Sequence, residues 1–161
     1  MIIREYKLSD TKAIMKLFYD TIHEINICDY TQEQVDAWAP ESMDYEVWQK
    51  RLQAKLPYIV ENNDEIVGFG ELEPDGHIDC FYCHSKYQRK GIGSKLLSHI
   101  EDAAKLEGIK WLYTEASITA KPFFENKGFS VVREQQVELR GIWFQNYSNP
   151  IWVVRKYVRG L

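Results

Sequence analysis

The heptapeptide Gln88-Arg89-Lys90-Gly91-Ile92-Gly93-Ser94 stands between a strand-like run and a stretch in which Leu96, Leu97, Ile100, Ala103 and Ala104 share one helical face. Two glycines let a backbone approach a ligand closely. A helix N-terminus offers unpaired N–H groups and the positive end of the helix dipole, a setting for phosphate oxygens. Arg89 and Lys90 add cationic charge at the same place. The turn therefore reads as a pyrophosphate cradle or, more plainly, as a tight turn that begins a helix. A P-loop needs G-x-x-x-x-G-K-[ST], which no window supplies, and a dinucleotide fingerprint needs a glycine where Leu96 stands.

Outward from this turn the pattern alternates between strand and helix periods. Ile2 to Lys7 predicts a strand, and Ser9-Asp10 an N-cap before a helix bearing Ile14, Leu17, Phe18, Ile22 and Ile25. Thr31-Gln32-Glu33-Gln34 is a capping box, and Pro40 stops that helix. A third helix spans 44–56, with Val47, Trp48, Leu52 and Leu56 apolar. Strands follow at 58–60, 65–72 and 77–83, with hairpin turns at Asn62-Asn63-Asp64 and Pro74-Asp75-Gly76. After the helix that Gly91 opens and Gly108 closes come strand 111–116, short helix 121–127, and strands 129–139 and 151–158. This order predicts an α/β (α+β) fold, a mixed sheet covered by helices.

The 161 residues suffice for one domain, 1–161, with 45% apolar residues for its core. Twenty Lys+Arg against 24 Asp+Glu give a net charge of −4, without the basic footprint of a nucleic-acid binder. No apolar run is long enough to span a membrane, the N-terminus does not read as a signal peptide, and three cysteines form no disulfide framework. The expectation is a cytoplasmic protein with no nucleic-acid or membrane partner. Cys80-Phe81-Tyr82-Cys83-His84 spells the C-x-x-C-H of haem attachment, but on a strand the two thiols point to opposite faces unless a bulge intervenes. A zinc site lacks a second ligand pair and a redox pair lacks a helix N-terminus, so the thiols are expected to be packed and no metal is expected.

The run from Ile78 to Phe129 resembles the acetyl-CoA-binding core of the GNAT superfamily of N-acetyltransferases. The likeness rests on a strand, the Q-R-x-G-x-G turn of Gln88–Gly93, an amphipathic helix, a strand, and a short helix ending in Lys127-Gly128-Phe129. Elements before and after follow the family's order, and Ala116–Glu125 with Arg140–Phe144 resemble a small bacterial branch of it. The resemblance implies a central mixed, mostly antiparallel sheet of about seven strands. It also implies acetyl transfer from acetyl-CoA to a primary amine by direct attack in a ternary complex, or else a CoA-binding module whose chemistry has been lost. By the same resemblance Phe81, Tyr82 and Cys83 would pair with the pantetheine arm, and the amides of Arg89, Lys90, Gly91, Ile92, Gly93 and Ser94, after Gln88, would hold the pyrophosphate. Ser117 stands where relatives often carry an Asn against the cofactor arm.

A base must take a proton from the attacking amine. In some relatives it lies two or four residues before the cofactor triplet, positions held here by Asp79 and His77, spaced i, i+2 on one strand face. Glu71 on the neighbouring strand is a third candidate. Phe124 replaces the family tyrosine that protonates the leaving thiolate, and a phenyl ring has no proton to give. Tyr113, Thr119 and Tyr147 offer other hydroxyls. Trp38, Trp143, Phe144 and Tyr147 could line an acceptor pocket; Trp38 reads better as core, whereas Arg140–Tyr147 reads as binding surface. A homodimer is common among relatives; the acceptor is not specified.

Overall fold

The computed structural model describes residues 1–135, 137–144 and 151–158. In chain order the elements are β1 (Ile2–Glu5), α1 (Thr11–Glu24), α2 (Gln32–Trp38), α3 (Tyr45–Lys55), β2 (Tyr58–Asn62), β3 (Glu65–Gly70), β4 (Phe81–Cys83), α4 (Ile92–Leu106), β5 (Trp111–Ala116), α5 (Lys121–Asn126), β6 (Ser130–Gln135), β7 (Val137–Leu139), β8 (Ile142–Phe144) and β9 (Ile151–Tyr157). Strands β1-β2-β3-β4 form one antiparallel sheet and β5-β9-β6 a second. Among the described residues a single parallel bridge, His77 to Tyr113, joins them, so seven strands run in lateral order and β7-β8 stands apart as a hairpin. The mixed, mostly antiparallel sheet is as expected.

Sheet faces divide the core. Ile59, Phe69 and Cys80 pack with Ile14, Leu17, Phe18 and Leu52 of the early helices. Val60 and Val67 pack on the other face with Ile92, Leu96, Leu97 and Ile100 of α4. The Thr31 capping box forms: Thr31 Oγ1 accepts the Gln34 N–H at 3.2 Å, and Gln34 Oε1 accepts the Thr31 N–H at 3.0 Å.

Several expected elements differ. Asp10 occupies the cap position of α1, but its carboxylate accepts from Arg4 and the Lys7 N–H rather than capping the helix. Val47 and Leu56 face solvent, because α3 buries a narrow row around Leu52 and Leu56 is its left-handed C-cap. Strand 65–72 ends at Gly70, strand 77–83 shrinks to a bridge and three residues, and 129–139 is two strands, β6 and β7.

A split sheet with a helix terminus and two carboxylates

The join between the sheets is short. Tyr113 donates its N–H to Gly76 O at 3.0 Å and accepts the Ile78 N–H at 2.8 Å, while Thr114 Oγ1 donates to Ile78 O at 2.7 Å. Past this point β4 leaves β5, and the register on its other side shows why. Glu73 N–H bonds to His77 O, but the next pair is Glu71 N–H to Cys80 O. Two residues on the β3 side thus face three on the β4 side, a bulge at Ile78–Asp79. From there Cys80, Tyr82 and His84 turn their backbone groups toward β3, and the alternation directs those of Phe81 and Cys83 toward the opening. Cys83 O is taken by Gln88 Nε2 at 2.8 Å and Thr21 Oγ1 at 3.1 Å. The N–H groups of Phe81 and Cys83 and the Phe81 carbonyl remain directed into the gap.

At the far end of the opening lies the N-terminus of α4. Gly91 is its N-cap at φ 81° and gives no side-chain cap. The first intrahelical bond runs from Lys95 N–H to Gly91 O, so among the described residues the amides of Ile92, Gly93 and Ser94 have no hydrogen-bond partner. Arg89, at φ 58°, and Lys90 are exposed beside them, Lys90 resting 4.7 Å over the Tyr87 ring. Gly93 has Phe123 ring carbons 3.2 Å from where a Cβ would stand, so its smallness also serves packing of α5.

Between these features runs a cleft of about 830 Å³. Phe81, Tyr82, Cys83, Gln88, Arg89, Gly91, Ile92, Gly93, Ser94 and Ser117 line it, together with Asp79 and Glu115. Lys90, His77 and Glu71 stand outside that lining. Ser117 is buried, and its Oγ accepts the Ala120 N–H at 3.1 Å, capping the turn into α5. Phe124 is buried among Phe81, Phe123 and Phe129 at the cleft floor. Tyr113 OH donates to Asp75 at 2.5 Å outside the cleft, whereas Thr119 lines it and donates to Asp29 at 2.6 Å. Trp38, expected as core, stacks edge-on against Tyr30 and also forms cleft wall, because α2 ends at the opening. Tyr147 and the side chains of Trp143 and Phe144 lie outside the described residues.

The titratable groups at the split form one network. Both Glu71 oxygens accept from Arg51, at 2.6 and 2.8 Å, in a fully buried site whose desolvation raises the carboxyl's pKa. Arg51 also donates to Asp79 Oδ2 at 3.0 Å and to Cys80 Sγ at 3.2 Å, so one guanidinium engages all three donors that could otherwise hold a metal ion. Asp79 Oδ1 carries no protein bond among the described residues. His77 Nδ1 meets Glu73 at 2.9 Å and Nε2 meets Glu115 at 2.5 Å, with its ring stacked on Tyr113. The bond to Glu115 outweighs burial and raises the His77 pKa, while it lowers that of Glu115. The stabilisation from this imidazolium is full below its unfolded value near 6.5 and is lost as pH rises through the raised one. Burial pushes the Cys83 thiol up to about 12 and Cys80 up as well, so neither is a ready thiolate.

Glu115 was not among the sequence candidates. Its place becomes visible only with the strand register: it stands two residues past Tyr113, as Asp79 stands two past His77, and those two residues form the bridge.

The comparisons with known proteins place this fold and cleft among the acyltransferases. The chain belongs to the GNAT acetyltransferases: the family's Acetyltransferase (GNAT) domain matches residues 26–149. It is 33% identical over 146 residues to the uncharacterised N-acetyltransferase YafP of Escherichia coli K12, covering 90% of this chain and 91% of that one. A GCN5-related N-acetyltransferase from Rhodopseudomonas palustris superposes with a TM-score of 0.89 at 29% identity, over 97% of this chain and 94% of that one. The PaiA N-acetyltransferase of Thermoplasma acidophilum, solved in complex with coenzyme A, shares the fold at TM-score 0.74 and 19% identity, over 97% and 98%. Among the described residues no helix is long and apolar enough to cross a membrane.

Proposed function

We propose that residues 1–161 act as one domain that transfers acetyl from acetyl-CoA to a primary amine in a ternary complex. The observation that carries this reading is the opening between β4 and β5, which leads from free strand amides to the bare N-terminus of α4. Coenzyme A in the Thermoplasma relative and acetyl-CoA in yncA of Salmonella typhimurium support the choice of donor.

In this reading the pyrophosphate rests on the amides from Arg89 to Ser94, and the pantetheine arm pairs with Phe81–Cys83 along the opening. The thioester carbonyl accepts from a free strand N–H, which stabilises the oxyanion. Asp79, at the bulge, draws in the acceptor ammonium and takes one of its protons. The neutral nitrogen then attacks, forming the C–N bond, and the C–S bond breaks. A second nitrogen proton goes to the departing thiolate, so ammonium plus thioester yields amide, free thiol and one proton. A thiol with a pKa of about 8.5 leaves without an acid near neutral pH, which fits Phe124. Glu71, with both oxygens on Arg51, anchors that arginine beneath Asp79.

Incubation with acetyl-CoA and a panel of primary amines is expected to release CoA thiol with amine-dependent, saturable kinetics. Phe124 favours one other reading, a CoA-binding module without turnover, and tight CoA binding with no thiol release from any amine would select it. Reversing charge at the turn tests the cradle. Arg89→Glu is expected to weaken CoA binding by roughly 10- to 100-fold, as for a lost charge-assisted contact. An unchanged dissociation constant by calorimetry removes Arg89 from the site.

A further inference from the structure

Asp79 and Glu115 occupy matching positions on two strands that have just come apart. The parallel bridge pairs His77 with Tyr113, and each carboxylate stands two residues further along its own chain. Both line the cleft, and both are about one-third exposed. Each has one oxygen tied to cations behind the wall: Asp79 Oδ2 to Arg51 and, at 3.4 Å, to Lys55, which also bonds Glu73, and Glu115 Oε2 to His77, which Glu73 holds from its other ring nitrogen. The remaining oxygen of each, Oδ1 and Oε1, has no side-chain hydrogen-bond partner among the described residues.

Two like charges facing across a gap repel unless something positive lies between them. The scaffold cations sit behind the carboxylates, and Arg89, the one Lys or Arg that lines the cleft among the described residues, lies at the phosphate end. Around the fork four carboxylates, Glu71, Glu73, Asp79 and Glu115, share three scaffold cations, Arg51, Lys55 and His77, which leaves one negative charge uncompensated, and the group that must arrive there in the acetyl-transfer reading is a protonated amine.

We propose that Glu115, with Asp79, forms a two-carboxylate clamp on the reacting ammonium. The clamp selects primary amines whose nitrogen-bearing carbon carries no carboxylate, against free amino acids. An α-carboxylate would be carried into the fork with the nitrogen, where it meets two anions and no free cation. Such juxtaposition excludes a substrate by repulsion rather than by lost contacts. Glu115 acts on binding and selection, and His77 and Glu73 are positioning residues that fix which oxygen it presents. The inference rests on the acetyl-transfer reading.

The test takes the best acceptor from the amine panel and compares its kcat/KM with that of the amino acid made by adding a carboxylate to the same carbon. The amine is expected to win by about 10²-fold or more, as for two like charges brought within several ångströms in a partly dry site. Glu115→Gln is expected to cut that ratio by about tenfold, chiefly through a higher KM for the amine, with Glu115→Asp restoring part of it. CoA affinity should be unchanged in both variants, showing that the cofactor site is intact. A ratio that Glu115→Gln does not move, or an amino acid as the best acceptor, overturns the clamp while leaving acetyl transfer in place. CoA binding with no transfer to any amine overturns both.

Discussion

Asp79→Asn is expected to lower kcat by about 10²-fold or more with CoA affinity intact, the loss typical of removing a general base. The substitution is close to isosteric, and an amide oxygen can still accept from Arg51, so the bulge and the Glu71–Arg51 pair need not rearrange. What disappears is the charge and the proton affinity of the oxygen that faces the opening. The other two sequence candidates are placed differently. Glu71 is buried, with both oxygens engaged by Arg51. His77 bonds a carboxylate at each ring nitrogen, and the bond to Glu115 raises its pKa, so neither nitrogen is open to take a proton from an incoming amine. Steady-state kinetics against amine concentration, with CoA affinity by calorimetry, checks the assignment. Normal turnover in Asp79→Asn would transfer the base role to Glu115 or to water in the cleft.

The parts of this site that were legible in the sequence are those fixed by local chemistry. Gly91 lies at positive φ and opens an amphipathic helix, and both features can be read from a few neighbouring residues. The Thr31–Gln34 box and the Asn62–Asp64 turn are legible for the same reason. The bulge at Ile78–Asp79 is different. Residues 77–83 read as one uninterrupted strand, and the extra residue emerges only when the 73–77 and 71–80 pairs are compared across the ladder. Arg51 was missed likewise, since nothing in α3 announces that its guanidinium will reach Glu71, Asp79 and Cys80. Both depend on pairings twenty residues or more apart or on register, which periodicity does not encode. Hence the glycine-turn end of the cleft could be anticipated better than its carboxylate end.

The joint between the two sheets should be the least tolerant point of the fold, and two glycines in the same backbone region separate the causes. Gly76 lies at φ 90° and Gly108 at φ 73°, so an alanine at either bears the left-handed cost, about 1–2 kcal/mol. At Gly108 an added Cβ meets nothing within 4 Å, and Gly108→Ala should cost little more than that. At Gly76 the same carbon would stand 1.9 Å from the Trp111 carbonyl oxygen and 3.0 Å from Ile109 Cγ2. Relief requires the β5 backbone to retreat from the segment whose Tyr113 N–H bonds to Gly76 O, which opens the bridge. Adding roughly 1–3 kcal/mol for overpacking puts Gly76→Ala at about 2–5 kcal/mol. For a chain of 161 residues, where each kcal/mol moves Tm by roughly 2–4 °C, thermal unfolding should fall by roughly 4–20 °C for Gly76→Ala and by only about 2–8 °C for Gly108→Ala. Because the bridge sets where β4 and β5 part, Gly76→Ala should also weaken CoA binding at temperatures where it remains folded, while Gly108→Ala should not. Equal melting temperatures for the two variants would show that the close approach of residues 76 and 111 does not hold the sheets together.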